Sequence, residues 1–85
     1  MELTLVISDN CQSCRRVEKH LRDILKKFSG TSLKIININN LAEQRITITP
    51  ALLIEDELFA YGEIDEGKLI SKINERAAEI NQQPL

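Results

Sequence analysis

The sequence has little of what several specialised protein classes depend on. Its 85 residues include no tryptophan, three glycines, two prolines and only two cysteines. Two cysteines exclude a scaffold that several disulfides hold together, and no segment is repeated or of low complexity. A chain of 85 residues is long enough for one small domain only, so we expect a single domain, residues 1–85. Because aromatic residues make up only 4% of the chain, its core is expected to consist of leucine, isoleucine and valine.

Charge of one dominant sign and long apolar runs are also missing. The formal net charge is -2, and lysine and arginine are scattered along the sequence. We therefore expect neither nucleic acid nor a membrane as a partner. The first residues lack the basic start, long apolar stretch and cleavage site of an export signal. These features predict a cytoplasmic protein, which we expect to be a monomer.

The periodicity of the apolar residues predicts alternating strands and helices. A helix begins at the cysteines with apolar positions up to Phe28, and Gly30 stops it. Asp65 is the expected N-cap of a last helix at 66–80, before a frayed tail at 81–85. A helix of one or two turns is predicted within 41–45. Strands are predicted at residues 2–8, 33–38, 51–54 and 58–61, the first two parallel and the last two a hairpin around an acidic turn at 55–57.

The chemistry of the chain is predicted to centre on Cys11 and Cys14. Residues three apart on a helix lie on one face, about 5 to 6 Å apart at Cβ, so their sulfurs can form and break a disulfide without moving the fold. A cysteine at a helix N-terminus faces unpaired N–H groups that stabilise its thiolate. We therefore expect Cys11 to attack a substrate disulfide and Cys14 to resolve the mixed disulfide. Arg15 and Arg16 are interpreted as ordinary solvated charges.

Cys11-Gln12-Ser13-Cys14 after the first strand, Thr49-Pro50 before the hairpin and Gly62 after it resemble the thioredoxin superfamily. Within it, the chain is most similar to the compact glutaredoxin-like thioredoxins. The resemblance implies an α/β, thioredoxin-like fold, in three α/β/α layers around a four-stranded mixed sheet, in the order β-α-β-short α-β-β-α. It also implies a cis peptide at Thr49-Pro50. Pro50 is then expected beside the sulfurs, with Thr49 and Gly62 contacting an extended substrate.

The sequence departs from this family in ways that bear on the substrate. Gln12-Ser13 is neither the Gly-Pro nor the Pro-Tyr pair common between the two cysteines, and the first strand offers no buried acid after Glu2. Glu63, Asp65 and Glu66 follow Gly62, where they would repel the carboxylate of glutathione. We therefore expect a protein disulfide as the substrate, an unidentified reductase or low-molecular-weight thiol as the second partner, and no cofactor.

Two other functions remain open at this point. A ferredoxin-like metallochaperone also begins with a strand, Cys-x-x-Cys and a helix, and two thiolates would suit Cu(I). That family finishes on a strand, whereas this chain is predicted to finish on a helix. A thioredoxin-like adaptor would use the disulfide only as a switch. A structural zinc site is less favoured, because it normally needs four ligands and the sequence supplies only His20 beside the two cysteines. An iron–sulfur cluster shared between two subunits is disfavoured by the acidic residues near Gly62.

Overall fold

The computed structural model describes residues 1–41 and 46–81, the last five of these for the backbone only. Strands and helices alternate much as the periodicity predicts. The elements are β1 (Glu2–Ile7), α1 (Gln12–Leu25), β2 (Ser32–Asn37), a 3₁₀ turn (Ile38–Asn40), β3 (Ala51–Ile54), β4 (Glu57–Tyr61) and α2 (Glu66–Asn81).

The four strands form one mixed sheet in the order β2-β1-β3-β4. β1 pairs with β2 in parallel, while β3 is antiparallel to both β1 and β4. The parallel pair needs a crossover, which α1 supplies. The predicted thioredoxin-like α/β fold with a four-stranded mixed sheet is therefore confirmed.

One face of the sheet is covered by both α-helices. Alternate residues of β1 and β3 point to this face because successive side chains of a strand point to opposite sides. They meet the apolar stripes of α1 and α2 in a core whose buried members, among the described residues, are aliphatic. Its buried members are Leu3, Leu5, Val17, Leu21, Ile24, Leu52, Ile54, Ile64, Leu69 and Ile73.

The opposite face carries a smaller cluster of buried residues, made of Val6, Ile46, Ala51 and Leu53. Ile38 and Leu41, around the 3₁₀ turn, pack against it. The helix predicted at 41–45, which would complete the third layer, falls mostly on residues 42–45, and these lie outside the described residues, as does the tail from residue 82.

Helix and strand ends differ slightly from the predictions. Cys11 is the N-cap of α1, which ends at Leu25 rather than Phe28. The hairpin turn is two residues long, since Ile54 pairs directly with Glu57. Its residues Glu55 and Asp56 have φ angles of 50° and 67°, as a tight hairpin turn requires. Asp65 caps α2 as predicted, because its Oδ1 accepts a hydrogen bond from the Lys68 N–H at 3.0 Å.

Candidate active site

Cys11 and Cys14 are joined by a disulfide at the start of α1, with their Cα atoms 5.2 Å apart. This separation lies within the usual range for bridged cysteines. Cys11 has extended backbone angles and Cys14 stands in the first turn. The pair is therefore held by the end of a helix whose other end is packed into the core.

The sulfur of Cys11 is placed against the N-terminal N–H groups of α1. Its Sγ accepts a hydrogen bond from the Cys14 N–H at 3.0 Å, and its carbonyl accepts the first hydrogen bond of the helix, from the Arg15 N–H at 3.3 Å. An N-cap side chain that accepts from the helix uses donors that have no other partner. After reduction, a thiolate in the same position would receive a charge-assisted hydrogen bond and the favourable end of the helix dipole.

The two cysteines differ in exposure. Cys14 is 2% exposed, whereas Cys11 is half-buried. A sulfur that attacks a substrate must be accessible, while one that resolves an intermediate needs to reach only its neighbour. The exposure of the pair therefore favours attack by Cys11.

A turn at Asp9-Asn10 leads from β1 into the cysteines. Asn10 has a φ of 57°, a left-handed conformation that asparagine tolerates better than most residues. Asp9 Oδ1 accepts a hydrogen bond from Asn37 Nδ2 at 3.0 Å, which ties the turn to the end of β2. This long-range contact aligns the chain as it enters Cys11.

The peptide between Thr49 and Pro50 is cis, as predicted. Ala51 pairs with Val6, and the hydroxyls of Ser8 and Thr49 are hydrogen-bonded at 2.7 Å. These two contacts place the cis peptide beside the segment that leads into Cys11.

Gly62 closes the same end of the sheet. Its N–H donates to the Pro50 carbonyl at 2.8 Å, and its φ of 72° is one that glycine adopts without steric cost. Apart from Gly62 and its two chain neighbours, no heavy atom of the described residues lies within 4 Å of the position that a Cβ would occupy there. The N–H of Gly62 thus holds the cis-proline segment, and its α-carbon faces open space.

The two arginines beside the cysteines do not act alike. Arg16 Nη2 donates to Ser13 Oγ at 3.3 Å and lies 3.5 Å from Glu63 Oε1, so it links the residues between the cysteines to the loop after Gly62. Arg15 instead lines a hollow of about 210 Å³ beside the disulfide. Ser8, Asp9 and Glu18 contribute polar groups to that hollow.

The structure brings all five predicted site residues to one end of the sheet: Cys11, Cys14, Thr49, Pro50 and Gly62. Sequence reasoning missed three contacts around them: Ser8 with Thr49, Asn37 with Asp9, and Glu63 with Arg16. The two residues of each contact lie 28 or more positions apart in the chain. No local periodicity marks such residues in a single sequence.

Comparison with known proteins identifies the family. A family model described as a thioredoxin domain matches residues 1–75. The chain belongs to the thioredoxin domain family. The fold of thioredoxin 1 from the thermophilic eubacterium Thermosipho africanus TCF52B is similar, with a TM-score of 0.68 over 98% of this chain and 100% of that one, at 21% sequence identity. No curated protein matches the chain.

The family and the fold favour some of the functions that the sequence left open over others. A thioredoxin domain with a Cys-x-x-Cys pair is, in general terms, a thiol–disulfide oxidoreductase. The ferredoxin-like fold that the metallochaperone alternative requires is not the fold observed. His20 is exposed on α1, and within 1–41 and 46–81 no group of three or more His, Cys, Asp or Glu side chains is arranged to hold a metal. None of the described helices is long and apolar enough to cross a membrane.

Proposed function

We propose that the protein exchanges or reduces protein disulfides, with Cys11 as the nucleophile and Cys14 as the resolving cysteine. The observation that carries the proposal is the asymmetry of the pair. Cys11 is half-buried and its Sγ accepts a hydrogen bond from an N–H at the helix start, whereas Cys14 is 2% exposed.

The reaction follows from thiol–disulfide exchange in two steps. The Cys11 thiolate attacks one sulfur of the substrate disulfide, so that a mixed disulfide forms and the other substrate sulfur leaves as a thiolate. The thiolate of Cys14 then attacks the sulfur of Cys11. This step forms the Cys11–Cys14 disulfide and releases the second substrate sulfur, and two electrons have passed from protein to substrate.

The substrate segment is proposed to lie along the cis-proline end of the sheet. Thr49 would offer its backbone to an extended chain, because its side chain is already engaged by Ser8. Gly62 would leave room for this substrate chain, since, apart from its two chain neighbours, no described residue comes within 4 Å of the position that a Cβ would occupy. Main-chain pairing of this kind tolerates varied side chains, which suits a protein substrate.

We favour a protein disulfide over glutathione because of the charges after Gly62. Glu66 lies in the first turn of α2, and Asp65 is its capping residue. Of the acidic residues after Gly62, the guanidinium of Arg16 neutralises only Glu63, whose Oε1 lies 3.5 Å from Arg16 Nη2. Among the described residues no cation forms an ion pair with Asp65 or Glu66. A glutathione carboxylate near this loop would therefore meet two negative side chains, while a peptide backbone carries no charge to be repelled.

The experiment compares two substrates for the reduced protein: a globular protein with an accessible disulfide, and a glutathione mixed disulfide on a short neutral peptide. We expect the larger second-order rate constant for the protein substrate. Replacing Glu63 and Glu66 by glutamine is expected to raise the rate with the glutathione substrate and to leave the rate with the protein substrate nearly unchanged.

Faster turnover of the glutathione substrate by the unmodified protein would overturn the substrate assignment. Absence of exchange with both substrates would favour the adaptor alternative, in which the disulfide acts only as a switch. The potential of the Cys11–Cys14 couple, measured against glutathione, gives the direction of electron flow, since a low potential indicates a reductase. Action as a cytoplasmic monomer, with a reductase or a low-molecular-weight thiol as electron donor, is part of the same proposal.

A further inference from the structure

Helix α1 carries a concentrated positive charge that the function above does not use. Of the 11 lysines and arginines of the chain, six lie between residues 15 and 27. Helical spacing places four of these in one row on the exposed side of α1, because residues three or four apart are neighbours on a helix surface. We call this row the basic row: Arg15, Lys19, Arg22 and Lys26.

The basic row is only partly neutralised. Arg22 Nε lies 3.0 Å from Glu18 Oε2, and Lys26 Nζ lies 3.4 Å from Asp23 Oδ1. Among residues 1–41 and 46–76, no acidic side chain pairs with Arg15 or Lys19. These two cations are exposed and stand at the end of the row that is nearest the disulfide.

The row runs from the redox centre along the helix. Arg15 lines the hollow beside Cys11 and Cys14, and Lys26 follows 11 residues later, about 16 Å further along the helix axis. There Arg22 and Lys26 also line a second hollow of about 320 Å³, whose apolar residues are Leu25 and Leu33. A molecule seated on the row would therefore reach the disulfide at one end and an apolar patch at the other.

The charge of the rest of the molecule is opposite. From residue 55 to residue 76, the hairpin turn, the loop after Gly62 and α2 contain seven acidic and three basic side chains. The net charge of -2 gives no general attraction for polyanions such as nucleic acid or an anionic membrane. Positive charge is therefore concentrated on α1, next to the disulfide, and charge concentrated on one surface can steer a partner of opposite charge.

We propose that the basic row is a docking surface for an acidic segment of the disulfide-bearing protein partner. The proposal rests on the proposed function, and it adds the chemistry of the partner: carboxylates flanking the disulfide over about five extended residues, with an apolar side chain at the far end. Steering of this kind raises the association rate and falls steeply with ionic strength.

The test uses two peptides, each with an internal disulfide and a six-residue arm of glutamates and serines that ends in leucine. In one peptide the arm precedes the disulfide, and in the other it follows the disulfide. Matched peptides carry glutamine in place of glutamate. At low salt, we expect the reduced protein to react about tenfold faster with one of the acidic peptides than with its glutamine counterpart. The difference should vanish near 1 M salt, where the Debye length is about 3 Å.

Two double variants with the same net charge distinguish an effect of the basic row from an effect of net charge. Lys19→Glu with Lys26→Glu changes the row and leaves Arg15 and the cysteines intact. Lys34→Glu with Lys68→Glu changes exposed lysines on β2 and α2. The first variant should lose the preference for the acidic peptide, and the second should keep most of it. Equal rates for both peptides with the unmodified protein, or equal losses in both variants, would overturn the proposal.

A binding measurement separates failure of docking from failure of the proposed function. The oxidised protein is titrated into acidic-arm peptides in which serine replaces both cysteines, and we expect binding at least fivefold weaker in the row variant than in the control variant. This result would support docking even if no disulfide were reduced. Reduction of the glutamine peptide with no acidic preference would retain the proposed function and reject docking. Tighter binding of a random DNA duplex than of either acidic peptide would also reject it.

Discussion

The helix-covered face of the sheet and the end of the sheet that carries the disulfide are built by different interactions. Within the described part of the chain, the helix-covered face contains ten buried aliphatic residues. The site end depends on single polar contacts: Ser8 to Thr49, Asp9 to Asn37, and Gly62 to the Pro50 carbonyl. Stability therefore depends mainly on apolar packing, most of it on the helix-covered face, while the geometry of the site depends on a few hydrogen bonds between loops.

This difference separates the two kinds of mutation. A change in the aliphatic core removes many contacts and creates a cavity, so it lowers the free energy of unfolding without touching the sulfurs. A change at the site end removes one or two hydrogen bonds, which are worth about 1 kcal/mol each. It should alter the reaction more than the stability. The four predictions that follow test this separation.

The largest effect on stability is expected for Leu21→Ala. Leu21 is 0% exposed on α1, and truncating a buried leucine costs about 2 to 5 kcal/mol. Denaturant unfolding of the oxidised protein measures the loss. Leu58→Ala on β4, where the side chain is 43% exposed, serves as the control and should change stability by about 0.5 kcal/mol or less. A small effect at Leu21 would contradict the account of the core.

Gly62→Ala should cost about 1 to 2 kcal/mol, because its φ of 72° is unfavourable for residues with a Cβ. Gly30→Ala is the matched control, since Gly30 has a φ of 84° and equally open surroundings but lies away from the site. We expect similar losses of stability by thermal unfolding, and reduced disulfide exchange only for Gly62→Ala. Equal disulfide-exchange activities of the two folded variants would show that Gly62 is not part of the substrate-binding site.

Ser8→Ala deletes the hydroxyl that holds Thr49 at 2.7 Å, and we expect a loss of about 1 kcal/mol in stability. The looser cis-proline segment should raise KM for a protein disulfide more than it lowers kcat, because Ser8 positions the substrate-binding backbone. Ser8→Thr keeps a hydroxyl and should restore KM. If KM stayed unchanged in Ser8→Ala, the contact would be purely structural.

The smallest effect is expected for Arg16→Ala. Its partner Glu63 is exposed, with a side-chain exposure of 74%, and such ion pairs contribute about 0 to 1 kcal/mol. Stability and the rate of thiol alkylation at Cys11 should therefore change little, the latter by less than about twofold. A tenfold slower alkylation would show that the guanidinium stabilises the thiolate, contrary to the contacts it makes with Ser13 and Glu63.

Much of the fold could be predicted because it follows from periodicity. The alternation of Leu3, Leu5 and Ile7 and the helical stripe through Val17 and Leu21 determine which faces are buried. Turn residues such as Gly62 mark the ends of elements. The element order, the parallel pair and the hairpin follow from these local signals together with the chirality and length of connections.

The site could be predicted only in part. Cys11 and Cys14 are recognisable because their spacing fits a disulfide across one helical turn, and Thr49-Pro50 was placed through the family resemblance. The contacts that hold them are long-range and specific to this chain, as between Ser8 and Thr49. The basic row does not show in the net charge of the chain, and it is recognised from the helical spacing of its four residues on α1.

The most direct test of the central claim is to trap the mixed disulfide. Each single variant, Cys14→Ser and Cys11→Ser, is incubated in reduced form with a disulfide-containing protein, and the adducts are identified by mass spectrometry without reductant. We predict that Cys14→Ser accumulates a covalent adduct through Cys11, because the resolving thiol is missing. The Cys11→Ser variant is expected to form adducts more slowly. Capture by Cys11→Ser and not by Cys14→Ser would reverse the two roles and contradict the account.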